Sequence, residues 1–114
     1  MTFEEYQKLA ISTDVFGGKP QPIDSHAFIS KLLGLVGEAG ETAEKFKKIF
    51  RDKEGKMTET DIKEITKELG DVLWYLSVLC TYLDVPLNEV AEGNLEKVLG
   101  RKARGVSHGG GDNR

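Results

Sequence analysis

The stretch Gly34-Leu35-Val36-Gly37-Glu38-Ala39-Gly40-Glu41 is answered downstream by Lys67-Glu68-Leu69-Gly70-Asp71. Each half carries two acids three residues apart, with small residues beside them. On a helix, positions i and i+3 are surface neighbours whose Cβ atoms lie about 5–6 Å apart. Each pair can therefore aim two carboxylates at one point, and two such helices side by side can aim four. An oxygen-rich set of that kind suits a hard cation such as Mg²⁺. The reading of the chain turns on whether these acids meet or merely decorate a surface.

Both segments read as helix. With Leu32 at zero and about 100° per residue, Leu35, Val36, Ala39, Ala43, Phe46 and Phe50 keep to one apolar line. Glu38 and Glu41 fall to one side of it, at about 240° and about 180°. With Ile62 at zero, Ile65, Thr66, Leu69, Leu73, Leu76 and Cys80 form the matching line, and Glu68 and Asp71 fall at the same two offsets. The acids thus hold the same position relative to the two apolar lines, which chance charge placement does not require. Glycines at 34, 37, 40 and 70 each cost a helix about 1 kcal/mol relative to alanine. Close approach of a ligand or of another backbone would justify them, and so would a tight helix–helix seam.

Outward from this pair the chain divides at its turn residues. Residues 3–13 read as a short first helix, capped by Thr2 with Glu5 three positions on. Residues 15–25 hold two glycines and two prolines and read as a loop. Asp24 or Ser25 caps the second helix, expected from about His26 to Arg51, and the charged turn 52–56 breaks it at Gly55. Thr58 or Thr60 begins the third, which runs to about Leu83. Its second half, Val72 to Leu83, is apolar nearly all round and must be covered on every side. Trp74 and Val78 point away from the apolar line and are expected to bury against a second subunit; cover by the first helix is the alternative. Pro86 stops this helix, and a fourth follows from about Leu87 to Arg104. The tail, residues 105–114, has four glycines and is expected to be flexible. Nothing reads as a strand, so the expected class is all-α: a single domain over 1–104, bundle-like and completed by oligomerisation.

Composition narrows the partners. The 114 residues carry 19 acids against 16 Lys and Arg, a net charge of −3. Phosphate neutralisation of a nucleic-acid polymer would want a basic surplus. The lone Cys80 excludes an internal disulfide framework and favours a reducing, cytoplasmic setting. The acidic start Met1-Thr2-Phe3-Glu4-Glu5 does not resemble a secretory signal. No apolar run reaches the roughly 20 residues of a membrane span. Neither His26 nor His108 stands three residues after a paired acid, which disfavours the Glu-x-x-His pattern of carboxylate-bridged di-iron bundles. There is no G-x-x-x-x-G-K-[ST] phosphate loop and no C-x-x-C. On the fourth helix, Asn94 interrupts the apolar line of Leu87, Val90, Ala91 and Val98, with Lys97 and Arg101 at its edge. Asn94 is either a satisfied helix-pairing residue or a ligand contact. The two cations suit phosphate oxygens. Tyr75, one turn after Asp71, could add a hydroxyl or simply be an aromatic at an interface.

At these residues the chain resembles a known family. Glu38-x-x-Glu41 followed by Glu68-x-x-Asp71 resembles the E-x-x-E…E-x-x-D signature of the MazG-like all-α nucleoside triphosphate pyrophosphohydrolases. GLVGEAGETAEKFKKI and KELGDVLWYLSVL are similar to that family's two core helices, and Asn94-x-x-Lys97-x-x-x-Arg101 to its fourth-helix motif. The likeness spans roughly residues 26–104. It implies a homodimer or homotetramer that uses Mg²⁺, with Mn²⁺ as a substitute, to split a (d)NTP into (d)NMP and pyrophosphate. Glu38, Glu41, Glu68 and Asp71 would be metal ligands. Tyr75, Asn94, Lys97 and Arg101 would contact substrate, with His26 near the base or sugar. Water would attack the α-phosphorus in line, with Glu41, or else Glu38, taking its proton. The competing expectation is a non-catalytic bundle that binds a metal–nucleotide or another protein.

Overall fold

Four helices and no strand make up the computed structural model, which describes residues 1–114: α1 (Phe3–Ile11), α2 (His26–Lys53), α3 (Glu59–Tyr82) and α4 (Leu87–Ala103). Local chemistry explains each start. Thr2 and Glu5 exchange hydrogen bonds as a capping box on α1, and Thr58 and Asp61 do the same on α3, satisfying N–H groups that a helix leaves orphaned. Ser25 caps α2 by accepting from the Phe28 N–H. Asp61 also takes Lys53 Nζ at 2.8 Å, and this contact with the Thr58 cap lowers its carboxyl to about 2. The turn between α2 and α3 places Glu54 and Gly55 in the left-handed region, which costs glycine nothing. Pro86 offers α4 no capping side chain. Gln7 of α1 supplies the deficit, accepting from the Leu87 N–H at 2.8 Å while donating to the Val85 carbonyl at 3.0 Å.

The short connector makes α2 and α3 antiparallel neighbours. Their contacts run in opposite order along the two chains: Lys53 with Asp61, Lys45 with Glu68, Gly34 with Tyr75, Ala27 with Val78. α1 lies against α3, whereas α4 packs on α1 and α3 and makes no packing contact with α2.

Which apolar face turns inward differs from the sequence expectation. Val78 is fully buried with Ala27 and Tyr82, and Ile11, Phe28 and Trp74 close over them. Trp74 also donates to Thr13 Oγ1 at 2.9 Å. Of the two residues expected against a partner, Val78 is thus buried and Trp74 half-buried by the chain's own α1, the segment after it and the start of α2, which is the alternative reading. Conversely, much of the expected core line is open: Val36 is 64 % exposed, Phe50 69 % and Leu69 52 %. On α4 only Leu87 of the apolar line is buried; Val90 and Val98 are exposed. Solvent reaches 8091 Å² of the chain, against roughly 6,200 Å² for a closed monomer of this mass. The radius of gyration is 16.9 Å, against about 13 Å for a compact domain of this length. The chain does not close a core by itself.

The buried end is fixed by charge. Asp14, just past α1, is fully enclosed and meets Lys31 Nζ at 3.0 Å, while Tyr82 donates its hydroxyl to the same carboxylate. Lys31 lies under the rings of Phe16 and Trp74, 4.7 and 5.4 Å from their centroids, an arrangement that favours the cation. Burial raises the Asp14 carboxyl, but the bonds from Tyr82 and Lys31 and the Lys31 charge outweigh it and hold it below its ordinary value.

The tail, residues 105–114, lies in turns against the end of α4. Arg114 donates to the carbonyls of Val106, Ser107 and Gly111, and Arg101 and Arg104 of the α4 end take tail carbonyls. Gly105, Gly109 and Gly111, all at positive φ, permit the reversal.

Removing one partner of a buried ion pair strands the other, which typically costs about 3–5 kcal/mol. Asp14→Asn should therefore lower unfolding stability by that order, and Asp14→Asn with Lys31→Met should recover part of it; denaturant titration checks both. Since the folded Asp14 value lies below the unfolded one, its contribution is complete above about pH 4 and is lost as pH falls through the lowered value. An acid-unfolding midpoint that Asp14→Asn leaves unmoved would contradict this.

Candidate metal centre

The antiparallel register sets the acids face to face. Glu38 and Glu41 of α2 and Glu68 of α3 bring one carboxylate oxygen each to within 4.8 Å of one another. Asp71, one turn after Glu68, lies close enough for its charge to act on Glu38. The environments differ: Glu38 and Glu68 are half-buried, Glu41 and Asp71 exposed. Burial, followed by the charges of Glu41, Asp71 and Glu68, pushes the Glu38 carboxyl above its ordinary value. Its Oε2 is buried with no hydrogen-bond partner. A cluster of acceptors that includes a buried oxygen without a partner suits a cation, and an all-carboxylate donor set fits a hard divalent ion. The residues present fit the metal that the motif implies.

Two neighbours of the cluster escaped sequence reasoning. Lys45 of α2 reaches Glu68 Oε1 at 3.3 Å and partly relieves the repulsion. Its position four residues after Glu41 was a signal, but it reads equally as a solvated surface charge. Tyr6 of α1 stands near Asp71; burial first, and then that charge, raise its phenol. No feature of α1 alone indicates that it lies beside the third helix there.

The remaining expected site residues divide into two groups. Tyr75 belongs beside the acids: its ring fills the space over Gly34, one turn before Glu38, and stacks edge-on with Trp74. A Cβ on Gly34 would fall 2.2 Å from the Tyr75 ring, so this glycine is explained by side-chain approach within the chain. Gly37, Gly40 and Gly70 face open space. His26 opens α2, exposed and edge-on to Phe16 at 5.9 Å, about 18 Å before Glu38 at 1.5 Å per residue. Asn94, Lys97 and Arg101 are not brought to the acids by the single chain. They lie on α4, which does not touch α2, and no hydrogen bond or ion pair links them to the cluster. Asn94 is exposed, and Lys97 and Arg101 are engaged by Asp112 of the tail at 3.3 and 3.1 Å.

An all-α chain with facing E-x-x-E and E-x-x-D helices defines a class, and comparison with known proteins agrees: residues 27–106 match the MazG nucleotide pyrophosphohydrolase domain, and the chain belongs to that family. It is also 44 % identical over the whole length of both chains to the Gene 37 protein of Mycobacterium phage L5. No solved structure matches it. No helix is long and apolar enough to cross a membrane.

The crowding of charge makes a directional prediction. Glu38→Gln removes the most strained member of the cluster, so the metal-free variant should melt no lower than the parent. Thermal stabilisation by Mg²⁺, expected for the parent because the ion binds only the folded state, should largely disappear in the variant. Equal Mg²⁺ shifts in the two proteins would remove Glu38 from the metal site.

Proposed function

We propose that this protein is a Mg²⁺-dependent nucleoside triphosphate pyrophosphohydrolase that converts a (d)NTP and water into (d)NMP and pyrophosphate. The observation that carries the reading is the convergence of Glu38, Glu41 and Glu68 in a domain of the MazG family. Glu38, Glu41, Glu68 and Asp71 would hold Mg²⁺, or Mn²⁺ in its place. A bound ion of this kind neutralises phosphate charge and acidifies water. Glu68 is engaged by Lys45 and Glu38 is half-buried, whereas Glu41 is exposed and free of ion pairs. Asp71 is exposed too but lies outside the convergent trio, which leaves Glu41 as the carboxylate best placed to take a proton from water. The water oxygen bonds to the α-phosphorus, the proton passes to Glu41, and the α–β bridging bond breaks with its electron pair leaving on pyrophosphate. Tyr75 would line the substrate beside the acids, with His26 farther along α2 towards the base or sugar.

Lys97 and Arg101 would stabilise charge on the leaving pyrophosphate, with Asn94 beside them. Because α4 does not reach α2 within one chain, a homodimer or homotetramer is part of the proposal: α4 of one copy approaches the acids of another. The support is area. The surface beyond that of a closed monomer is roughly 1,900 Å², on the scale of permanent protein interfaces, and it carries Leu32, Val36, Phe50, Ile62 and Leu69.

Incubation with a panel of triphosphates and Mg²⁺ should release pyrophosphate and monophosphate in equal amounts, and EDTA should stop it. Glu41→Gln should lower kcat by about 10²–10⁴ with little change in the melting temperature. Release of orthophosphate, or full activity of Glu41→Gln, would overturn the assignment. Sedimentation should give at least a dimer, and Val36→Glu should dissociate it.

A further inference from the structure

Arg101 is buried near the end of α4, yet its hydrogen bonds all leave from one nitrogen. Nη2 donates to the Gly111 carbonyl at 3.3 Å, the Asp112 carbonyl at 2.7 Å and Asp112 Oδ1 at 3.1 Å. Nε is buried and has no partner. A guanidinium offers its N–H groups as a fork that two oxygens of one carboxylate or phosphate can fill, and here the fork is not filled. Lys97, one turn earlier, places Nζ 3.3 Å from the same Asp112 Oδ1. Two cations therefore converge on one oxygen of a side chain that is itself 80 % exposed. An ion pair so open to water is weak and screened by salt. The tail that delivers Asp112 is held otherwise by carbonyl bonds to Arg101, Arg104 and Arg114, across glycines that allow it to unfold again.

We propose that Asp112 is a built-in anion that occupies the Lys97–Arg101 pair in place of a polyphosphate, and that a polyphosphate displaces it and frees the tail. The inference rests on the phosphate-facing role given above to Lys97 and Arg101. A single carboxylate with one oxygen engaged is a poorer partner for two cations than pyrophosphate, which brings more charge and paired oxygens. The tail thus competes with ligand: it lowers apparent affinity by the fraction of time the pair is free. It also shields an arginine that would otherwise be buried without an acceptor.

The test uses the full chain with inorganic pyrophosphate and no divalent ion. Asp112 is exposed and far from the core, so Asp112→Asn should fold as the parent does. If the tail is docked about nine-tenths of the time, the variant, which loses the carboxylate charge but keeps the carbonyl bonds to Arg101, should bind pyrophosphate more tightly by calorimetry, by up to about tenfold. Pyrophosphate should also speed amide exchange across residues 105–114 of the parent. Adding Lys97→Ala to Asp112→Asn should cancel the gain. Unchanged affinity in Asp112→Asn, unchanged tail exchange, or a gain that survives Lys97→Ala each overturns the inference. No turnover is read, so the two proposals fail separately. A chain that releases its tail to pyrophosphate but hydrolyses nothing keeps this inference and loses the enzyme. Active hydrolysis with an indifferent tail does the reverse.

Discussion

Three carboxylates gathered by two antiparallel helices, with the charge of Asp71 acting on them, are the constraint around which this chain is built. The α2–α3 register that seals Val78 against Ala27 also sets Glu38 beside Glu68, so packing at one end holds like charges together at the other. Left to itself, such a cluster opposes the fold. Lys45 offsets part of the repulsion, and the raised Glu38 carboxyl absorbs more. The orphaned Oε2 of Glu38 records what remains. A divalent ion would turn this local cost into a source of stability and, in the proposed chemistry, of catalysis.

The chain offsets the cost elsewhere with a second, oppositely designed polar site. Asp14, Lys31 and Tyr82 are also buried, but each charge there has its complement. Aromatic faces of Phe16 and Trp74 shelter the Lys31 cation. One polar cluster is balanced in charge within the chain and the other is not. The contrast separates a site that holds structure from one whose chemistry suits a cation. The Lys97–Arg101 pair falls between these extremes, satisfied by the chain's own tail but incompletely.

Much of this was legible in the sequence because it depends on local rules. Turn residues at 15–25, 52–56 and 84–86 marked the helix ends to within a residue or two, and Thr2, Ser25 and Thr58 do cap as their side chains suggest. The equal angular offsets of the two acid pairs point to a meeting of all four acids; Glu38, Glu41 and Glu68 converge, whereas Asp71 stays exposed beside them. Less was legible about which face turns inward. Trp74 and Val78 read as burying against a second subunit, with cover by the first helix as the alternative, and the chain itself buries Val78 and half-covers Trp74. Val36, Phe50 and Leu69, on the expected core lines, are open in the single chain.

The amino-acid pattern alone determined that these are helices, where they stop, and which side chains share a stripe, because periodicity and capping act within a few residues. It could not determine which of two apolar stripes the chain itself covers, since burial in one's own subunit and burial against another demand the same hydrophobic residues. Only the tertiary structure decided that. It turned Val78 towards Ala27 and Tyr82, found a buried partner for Lys31 in Asp14 seventeen positions away, and drew Asp112 back onto Lys97 and Arg101. Those pairings depend on loop paths and chain reversals, which no spacing along the sequence encodes.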